Sequence, residues 1–490
     1  MVTLLHISDL HRSPVAPTPN SFLLSCLLLD IQRHQNDDPV IPKCDGIVVT
    51  GDLVEGVSLE DREPEKTMKE QYLEAKDFLV SLCDRLLDGN RARIFIAPGN
   101  HDVNWPMSYR AMSRLTSKPQ RDIRRALSDR DTPIRWSWGE YRPYVIKDPH
   151  TYGRRLELYK EFFDDFYRGL GHTFSLDPSK QTVNFVLPES QIVLTSFCSL
   201  YGNDCFNRRG RISQDAIAVN DLELRSKGMA PTLKIAIWHH SPATSSYQED
   251  CLDSFDTLPL LMDRGYVIGL HGHQHHSSVT TFSDAINPGQ YMPLVGCGSL
   301  CAGPYDIPPG YRRHYNVIEI DENTFNLRVH AREWFNNQIW IAAKLPEWNW
   351  ESWIDLKLPL LEFATQEAAK TAESSRLMAN VGNAERAVKS KDFRRAIALL
   401  KSESSEIPLV RKLLLLSYRE EGEWQEIIGL IGDPTNEDEV VSLFDAYVQL
   451  KRLNEINELL KRASARGLSP LFIAELRKRL EVERSIGDNP

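Results

Sequence analysis

Short apolar runs that stop abruptly at polar residues are the feature that most constrains the fold of this chain. Residues 2–7, 46–50 and 93–97 are predicted to be buried strands, and each is followed at once by a segment rich in Asp, Asn or His. An amphipathic helical pattern over residues 66–88 separates the second strand from the third. This strand, helix, strand order predicts an α/β sheet with a site at the carboxyl ends of its strands.

The same pattern returns later in the chain. Residues 191–197, 233–238 and 266–270 are predicted strands, and the last two lead into His-His and Gly-His-Gln-His segments. Residues 315–320 and 325–331 are predicted to form a closing hairpin around an Asp-Glu-Asn-Thr turn. The sheet would therefore gather ligand-type side chains from five separate segments along one edge.

Eight side chains at these strand ends are candidate functional residues. A lone histidine at a strand end is usually structural and a lone Gly-Asp is usually a turn, so the prediction depends on all five segments together. Carboxylate, amide and imidazole donors in combination suit manganese, iron, zinc or a similar divalent ion. Eight donors are too many for one ion, and two ions about 4 Å apart would stabilise both oxygens of a phosphoryl displacement. The eight residues are Asp9, His11, Asp52, Asn100, His101, His239, His273 and His275.

In this order the five segments resemble the calcineurin-like metallophosphoesterases, whose pattern is D-x-H, GD, GNH[DE], H and GHxH. The resemblance covers roughly residues 1–340, and all its motifs are present. It implies a metallophosphoesterase β-sandwich of two sheets flanked by helices, with a dinuclear metal centre at the sheet edge. It also implies a metal-dependent hydrolase that cleaves phosphoester bonds with a hydroxide bridging the two ions.

The resemblance assigns a role to each of the eight residues. The first ion would be held by Asp9, His11 and His275, the second by Asn100, His239 and His273, and Asp52 would bridge the two. His101 would be the catalytic residue that stabilises the transferring phosphoryl group or protonates the leaving oxygen.

Three details of this assignment stay open in the sequence. His240 is the alternative to His239, because only one of the two neighbours is expected to bind metal. Glu55 matches a place where several relatives carry an aspartate that orients the catalytic histidine, but glutamate is one methylene longer. Manganese is the predicted metal, with iron, zinc, nickel and cobalt as alternatives.

A long insertion, about residues 105–185, offers a clue to the substrate. Its part from Arg110 to Arg155 holds twelve Lys or Arg against five Asp or Glu, interleaved with tryptophans and tyrosines. Arginines there, with a second basic stretch at residues 207–211, would grip phosphates while the aromatic rings stack on bases. The alternative is a solvated helical cap with an ordinary aromatic core. The arginines named by this hypothesis are Arg121, Arg124, Arg125 and Arg135.

The sequence before the Gly-Asn-His motif separates two substrate classes. Many phosphoprotein phosphatases of the resembling family have an arginine there, where this chain has Pro98. We therefore predict a phosphodiesterase that acts on a nucleotide or nucleic acid, or a nuclease. The alternatives are a phosphomonoesterase or phosphoprotein phosphatase, and an effector subunit recruited to a complex.

The C-terminal region changes character and predicts a second, all-α domain. Residues 1–345 are the predicted catalytic domain, 346–381 a linker that contains a tether at 348–359 and a polar helix at 361–380, and 382–490 a helical-repeat (TPR-like) domain. Three similar ten-residue segments place Phe393, Trp424 and Leu453 at equivalent positions, 31 (424 − 393) and 29 (453 − 424) residues apart. That period suits helix-pair repeats, which present surfaces to protein partners.

Composition excludes several other classes. The net charge of −10 argues against a protein that coats nucleic acid over its whole surface. No uninterrupted apolar stretch is long enough to span a membrane, and the first motif begins too early to leave room for a secretory leader. The eight cysteines are mostly scattered, and the single C-x3-C of Cys297 and Cys301 is weak evidence for zinc. These features predict free buried thiols and a cytoplasmic protein.

Overall fold

The computed structural model describes most of the chain. The described residues are 1–116, 123, 126–127, 131–187, 189–190, 192–227, 233–242, 250–283, 290–303, 307, 310–336, 338–359, 372–403, 405, 407–434, 436–466 and 470–487. They fall into two compact units, which we call the sheet unit, up to residue 359, and the helical unit, from residue 372. No helix in these described ranges is long and apolar enough to cross a bilayer.

The sheet unit is built from strands in three sheets. Its described strands are β1 (Val2–Ile7), β2 (Gly46–Thr50), β3 (Ile94–Ala97), β4 (Met112–Arg114), β5 (Ile134–Ser137), β6 (Arg142–Ile146), β7 (Thr182–Val186), β8 (Ile192–Phe197), β9 (Leu233–Ile237), β10 (Tyr266–His271), β11 (Ser278–Ser283), β12 (Tyr291–Gly296), β13 (His314–Asp321), β14 (Asn326–Phe335), β15 (Ile339–Ala342) and β16 (Trp353–Lys357).

Two of the sheets are mixed. Their parallel strands lie at one side of the first sheet and in the middle of the second. The first has the order β15-β14-β13-β1-β2-β3, with β16 also paired to β14, and β1, β2 and β3 run parallel. The second has the order β11-β12-β10-β9-β8-β7, with β8, β9, β10 and β12 parallel. The parallel strands β1 and β10 are buried along their whole length, as expected when both faces of a sheet are covered.

Helices cover the sheets on their outer faces. The helix Pro64–Leu86 begins with proline at its first position, and its buried residues recur at helical spacing. The helices and 3₁₀ turns of the sheet unit are Asn20–Arg33, His34–Asn36, Pro64–Leu86, Arg91–Arg93, Asn100–Asp102, Trp105–Arg110, Pro149–Gly153, Arg154–Leu156, Glu157–Phe166, Pro178–Lys180, Gln214–Ser226, Ser254–Asp263 and Pro346–Trp348.

One apolar core joins the two mixed sheets. It contains Ile47 from the first sheet and Leu194 from the second, and the rings of Phe95 and Phe185 lie 5.5 Å apart across the interface. Leu27 and Phe78 of the covering helices belong to the same core. The predicted fold class, a β-sandwich flanked by helices with an all-α C-terminal region, is confirmed.

The predicted insertion is a small α+β layer. Strands β4, β6 and β5 form an antiparallel sheet. Along the chain these strands follow the helix Trp105–Arg110 and precede the helices Pro149–Gly153 and Glu157–Phe166. The last helix buries Phe162, Phe163 and Phe166, and it packs against the helix Pro64–Leu86. The second mixed sheet begins with β7 at Thr182, slightly before the predicted end of the insertion at about residue 185.

The predicted tether at 348–359 is wrong. Its residues Trp353–Lys357 form β16, which pairs antiparallel with β14 over five positions, so the first unit extends beyond the predicted boundary at 345. Of the polar helix predicted at 361–380, residues 360–371 lie outside the described residues, and a helix spans Ala372–Lys389. The tether prediction failed because strand pairing depends on a partner far away in the chain.

The helical unit consists of successive helix pairs. Its described helices are Ala372–Lys389, Phe393–Leu400, Pro408–Glu421, Trp424–Ile431, Glu437–Gln449, Leu453–Ala465 and Pro470–Gly487. The second helix of each pair begins at Phe393, Trp424 or Leu453, the three residues that the sequence aligned.

The turn inside each helix pair is the same. Lys391, Gly422 and Lys451 all adopt left-handed backbone conformations, with φ values of 63°, 76° and 57°. The next residue donates its amide to the carbonyl five positions back at 2.8 Å in all three turns, the hydrogen bond of a Schellman-type helix end. The helical periodicity predicted from the sequence is therefore present in the backbone.

Candidate metal centre

The eight predicted residues converge at one edge of the sandwich. They follow the carboxyl ends of β1, β2, β3, β9 and β10, and the parallel pairing of these strands brings the ends together. Backbone hydrogen bonds continue beyond the strands: the Asp9 amide donates to Gly51 O at 3.1 Å and the Gly272 amide to His239 O at 3.0 Å. The loops that carry the site are thus fixed by the sheets.

The first cluster consists of Asp9, His11 and His275. His275 Nε2 lies 3.2 Å from Asp9 Oδ1 and 3.4 Å from His11 Nε2. All three offer one ligand atom within 4.8 Å of the others, close enough for one metal ion. Most of the sequence of the sheet unit separates Asp9 from His275, yet their side chains are in contact.

The second cluster consists of Asn100, His239 and His273. Asn100 Oδ1 lies 2.9 Å from His239 Nε2 and 3.0 Å from His273 Nδ1, and the two histidine nitrogens are 3.2 Å apart. The remaining ring nitrogens are taken up by the backbone, because His239 Nδ1 lies 2.7 Å from Thr50 O and His273 Nε2 lies 2.7 Å from Asp250 O. These carbonyls orient both rings toward Asn100.

Asp52 lies between the two clusters. Its Oδ2 is 3.2 Å from His239 Nε2 and 3.9 Å from His11 Nε2, one residue from each cluster. Its Oδ1 accepts a hydrogen bond from the His101 amide at 2.8 Å. The carboxylate is therefore held in place by one oxygen while the other faces both groups of ligands.

Backbone strain is concentrated at this site. Five of the seven predicted metal donors have positive φ, a conformation that non-glycine residues adopt rarely and that costs about 1–3 kcal/mol each. They are Asp9 (51°), His11 (42°), Asp52 (49°), His273 (80°) and His275 (58°). Such strain persists only where the surrounding structure imposes it, and it marks functional sites.

Two glycines leave room for the carboxylates. A Cβ at Gly99 would lie 2.2 Å from Asp52 N and Oδ1, and a Cβ at Gly272 would lie 1.9 Å from Ser8 Oγ and 2.7 Å from Asp9 Oδ2. These distances are far below van der Waals contact. The glycines of the Gly-Asn-His and Gly-His-x-His motifs are therefore needed for close packing around Asp9 and Asp52.

The electrostatics of the site favour a bound cation. Burial alone would raise the pKa values of Asp9 and Asp52, but the neighbouring histidines hold both well below the ordinary range. Burial alone would lower the pKa of His239, but the charges of Asp52 and Asp9 raise it to about 10. Two buried carboxylates thus attract positive charge to this point, and a divalent ion would supply it in place of a proton.

An unsatisfied carboxylate oxygen supports the same conclusion. Asp9 Oδ1 is buried and accepts no hydrogen bond of good geometry from any described residue, although buried polar atoms usually have a partner. Mixed carboxylate, imidazole and amide donors suit borderline divalent metals. The residues present therefore fit a dinuclear centre.

His101 stands apart from the two clusters. Its Nδ1 lies 2.6 Å from the backbone oxygen of Glu55, and its ring lies 4.7 Å from the ring of His11 and 6.3 Å from that of Trp105. The Glu55 backbone carbonyl, rather than its carboxylate, therefore orients the ring. The sequence had already placed the side-chain role in doubt, because glutamate is one methylene longer than aspartate, and the Glu55 side chain is exposed.

The contacts of His239 and His240 differ, although His240 also lies with Asp250 and His273 in a group whose ligand atoms are within 4.8 Å of one another. His240 is fully buried, with Nδ1 2.9 Å from Ser199 Oγ and Nε2 3.4 Å from Asn203 Nδ2. Burial lowers the pKa of His240 well below its ordinary value. Both of its nitrogens have protein partners, whereas His239 Nε2 faces Asn100 and Asp52.

Sequence reasoning missed a buried aspartate that supports the site. Asp102 Oδ2 accepts from the Gly99 amide at 2.7 Å, and Asp102 Oδ1 accepts from Tyr72 OH at 3.0 Å. Burial and the charge of Asp52 raise the pKa of Asp102 to about 7. The signal was present, because Asp102 is the final residue of the Gly-Asn-His-Asp motif. The Asp250 carbonyl, in contrast, carries no sequence signal.

The basic residues of the insertion divide into two groups. Arg121, Arg124 and Arg125 lie outside the described residues. Arg135 is buried and donates to Asp204 Oδ2 at 2.6 Å and to Thr132 O at 2.7 Å, so its predicted role in gripping phosphate is wrong.

The aromatic residues of the insertion differ in their exposure to solvent. Tyr144 is buried, whereas Trp138 and Tyr141 at the β5–β6 turn are 64% and 75% exposed.

The two neighbouring cysteines do not form a metal pair. Cys301 Sγ accepts from Arg12 Nη1 at 3.0 Å, whereas Cys297 Sγ donates to His6 O at 3.1 Å. All eight cysteines are free thiols, and Cys205 alone among them is less than fully buried. The prediction of free thiols is confirmed.

The chain belongs to the calcineurin-like phosphoesterase family, whose model matches residues 2–277. This is a family of metal-dependent phosphoester hydrolases with a dinuclear metal centre. No curated protein has a sequence that matches the chain.

Solved structures with a similar chain path share little sequence with this protein. A dimetal phosphatase from Danio rerio is 12% identical, with 68% of this chain and 96% of that chain covered and a TM-score of 0.38. A Thermus thermophilus protein is 11% identical, with 67% and 97% covered and a TM-score of 0.31. A Vps29 single mutant from Entamoeba histolytica is 9% identical, with 69% and 95% covered and a TM-score of 0.23.

Proposed function

We propose that this chain is a two-metal phosphodiesterase whose substrate is a nucleotide or nucleic acid. The observation that carries the proposal is the pair of ligand clusters that share Asp52. The first ion would be held by Asp9, His11 and His275, the second by Asn100, His239 and His273, and Asp52 would be shared between the two. The metal is proposed to be manganese, because mixed nitrogen and oxygen donors suit it.

The chain's own residues divide the chemistry between them. Two divalent ions at this site would lower the pKa of water and offset negative charge on the phosphoryl oxygens. Asp52 and Asp9 provide the buried negative charge that holds the ions, and the Thr50 and Asp250 carbonyls fix the imidazole ligands. His101 donates Nδ1–H to the Glu55 carbonyl, which leaves Nε2 for the phosphoryl group. With both nitrogens protonated, the ring would stabilise charge on that group or give its Nε2 proton to the leaving oxygen.

The diester preference is supported by the surroundings of the site. Pro98 precedes the Gly-Asn-His motif, where an arginine would favour phosphoprotein phosphatases. The exposed rings of Trp138 and Tyr141 on the basic insertion offer surfaces on which bases stack. We place the enzyme in the cytoplasm, in keeping with its free thiols.

Hydrolysis assays with metal-loaded protein test this proposal. We expect manganese-loaded full-length protein to cleave bis(p-nitrophenyl) phosphate faster than p-nitrophenyl phosphate, and to cleave single- or double-stranded DNA or RNA. Asp52→Asn and His101→Ala should each reduce kcat by at least about 100-fold, since each removes a group that acts in the transition state. His150→Ala, an exposed histidine in the insertion, is the matched control and should retain wild-type activity.

Three outcomes would contradict parts of the proposal. A faster rate on the monoester would replace the phosphodiesterase with a phosphomonoesterase or phosphoprotein phosphatase. Activity on the aryl diester without cleavage of any nucleic acid would point to a small-molecule substrate. Full activity in Asp52→Asn would overturn the site assignment itself.

The helical unit favours a second proposal, that a protein partner recruits the enzyme to a complex. Three helix pairs with equivalent left-handed turns form the kind of TPR-like array that binds peptides. The helical unit has an apolar core of its own, separate from that of the sheet unit. Removal of residues 372–490 should therefore leave turnover intact and abolish association. Loss of turnover with unchanged association would contradict the recruitment role.

A further inference from the structure

Arg208 lies in the loop between β8 and the helix Gln214–Ser226, at one side of the candidate metal centre. Its guanidinium carbon is 5.3 Å from the ring centroid of Trp105, a cation–π contact. The Trp105 ring in turn lies 6.3 Å from the ring of His101. Arg208 is therefore one side chain away from the proposed catalytic residue.

The backbone of the same loop contacts the other side of the centre. Asn203 Nδ2 donates to the Arg208 carbonyl at 2.9 Å and lies 3.4 Å from His240 Nε2. A Cβ at Gly210 would lie 2.3 Å from the His240 ring, so the loop packs directly on that histidine. The His240 ring is 4.9 Å from the ring of His273, a proposed ligand of the second ion. Contacts toward His101 and toward His273 thus place Arg208 beside both halves of the centre.

The insertion holds this loop in a fixed conformation. Asp204 Oδ1 accepts the amides of Phe206 at 2.8 Å and Asn207 at 3.0 Å. Its Oδ2 accepts from Arg135 Nε at 2.6 Å and from Tyr152 OH at 2.8 Å. Two side chains of the insertion therefore anchor the turn that precedes Arg208.

The neighbouring arginine has a different environment. Arg211 Nη1 is 2.8 Å from Asp131 Oδ1, and its guanidinium carbon lies 4.9 Å from the centroid of Tyr201. Arg208 is exposed, and no carboxylate of the described residues lies within 4.0 Å of it, although its charge acts on Asp250 at longer range. The guanidinium of Arg208 is thus fixed over an aromatic ring with its charge available to an anion.

We propose that Arg208 binds a non-bridging oxygen of the substrate's phosphoryl group, an inference that rests on the proposed phosphoesterase function. A guanidinium presents a planar fork of N–H donors that matches two phosphate oxygens, and the Trp105 ring pre-organises it. Arg208 would orient the phosphoester for attack, while Asp204 and Asn203 are positioning residues that hold its backbone.

Binding of inorganic phosphate tests this role without depending on turnover. Equilibrium dialysis of radiolabelled phosphate against manganese-loaded full-length protein gives Kd for the wild type, Arg208→Ala, Arg208→Lys and the control Arg211→Ala. We expect Arg208→Ala to weaken binding about 10- to 100-fold, the usual worth of a charge-assisted hydrogen bond. Arg208→Lys should fall between the wild type and Arg208→Ala because it keeps the charge without the fork, and Arg211→Ala should stay within about twofold.

Hydrolysis of bis(p-nitrophenyl) phosphate gives a second readout. Arg208→Ala should raise KM by a factor similar to the loss of phosphate affinity, and circular dichroism of both Arg208 variants checks the fold. Phosphate binding within twofold of wild type in Arg208→Ala would overturn the proposal, as would a wild type that binds no phosphate. If phosphate binding depends on Arg208 but no phosphoester is hydrolysed, the proposed function fails and the anion-binding role stands.

Discussion

The candidate metal centre and the helical unit differ in how far apart in the sequence their contacting residues lie. The centre joins side chains that are far apart in the sequence, and its packing has no spare space at Gly99 and Gly272. The helical unit repeats one local turn three times, and its pairs contact mainly their neighbours along the chain. The comparison teaches that the same substitution should have different effects in the two regions.

Glycine-to-alanine substitutions should show the largest difference. In Gly272→Ala the new methyl group would lie 1.9 Å from Ser8 Oγ, so we expect a loss of activity and a destabilisation of roughly 3 kcal/mol or more. In Gly429→Ala, inside the helix Trp424–Ile431, the methyl group meets nothing within 4 Å, and alanine should stabilise that helix by about 0.5–1 kcal/mol. Urea denaturation and kcat measure both variants. Equal destabilisation by the two substitutions would contradict the expected difference between the two regions.

Loss of a buried ion pair should have the next largest effect. Asp30 accepts from Arg332 Nη2 at 2.6 Å and Nε at 2.8 Å, in the interior of the sheet unit. Asp30→Asn should destabilise the unit by about 3–5 kcal/mol because it removes the buried carboxylate that pairs with Arg332, which then keeps only its pair with Asp37. The exposed pair of Arg394 and Glu421 in the helical unit is the control, and Glu421→Gln should change stability by less than about 1 kcal/mol.

The effect of Asp30→Asn should also depend on pH. Burial alone would raise the pKa of Asp30, but hydrogen bonds from His34 and Arg332 lower it below its ordinary value. A carboxylate with a lowered folded-state pKa stabilises above its unfolded pKa of about 4 and loses this contribution as the pH falls through the folded-state value. The difference between wild type and Asp30→Asn should therefore be full at pH 7 and shrink below about pH 4. A constant difference down to about pH 2 would contradict the ion-pair explanation.

Removal of metal should affect only the sheet unit. Ligand binding at about 100 to 1,000 times Kd stabilises a folded state by about 2.7–4.1 kcal/mol. We expect chelation to reduce the free energy of unfolding of the sheet unit by a similar amount and so to lower its denaturation midpoint. The helical unit, which has no predicted ligand, should keep its midpoint. Calorimetry with and without manganese measures both transitions, and Asp9→Asn should remove the difference. A shift confined to the helical unit would show that the metal binds elsewhere.

Glycine in the repeat turns should give the smallest effect. Lys391 has φ of 63°, a conformation that glycine adopts without strain, so Lys391→Gly should stabilise the helical unit by about 0.5–1 kcal/mol. Lys389→Gly, two residues earlier at the last residue of the helix Ala372–Lys389, should destabilise the unit by up to about 1 kcal/mol. Thermal denaturation of the two variants measures the sign. Destabilisation by Lys391→Gly would mean that the lysine side chain contributes more than the turn conformation.

The sequence predicted those parts of the fold and site that depend on local pattern. The strand ends that carry Asp9, Asp52 and Asn100 were found because each buried run stops at a polar motif. The starts of three repeat helices were found because their apolar spacing recurs. In both cases the evidence lies within about ten consecutive residues.

Features that depend on distant partners were not predictable from the sequence. The burial of Arg135 follows from Asp204, 69 positions away, and β16 follows from its pairing with β14. The choice between His239 and His240 depends on which ring faces Asn100, and adjacent residues carry no sign of that. The place of Arg208 over Trp105 likewise appears only in three dimensions.

The separation of the first cluster along the chain has a consequence for protein synthesis. Asp9 and His11 leave the ribosome long before His275, which follows His11 by 264 positions, and β1 completes its pairing only with β13. A nascent chain cannot assemble the centre before β13 has emerged. Under the proposed function, products that end before β13 would therefore be inactive, whereas removal of residues 372–490, which lie beyond the sheet unit, would not prevent assembly of the centre.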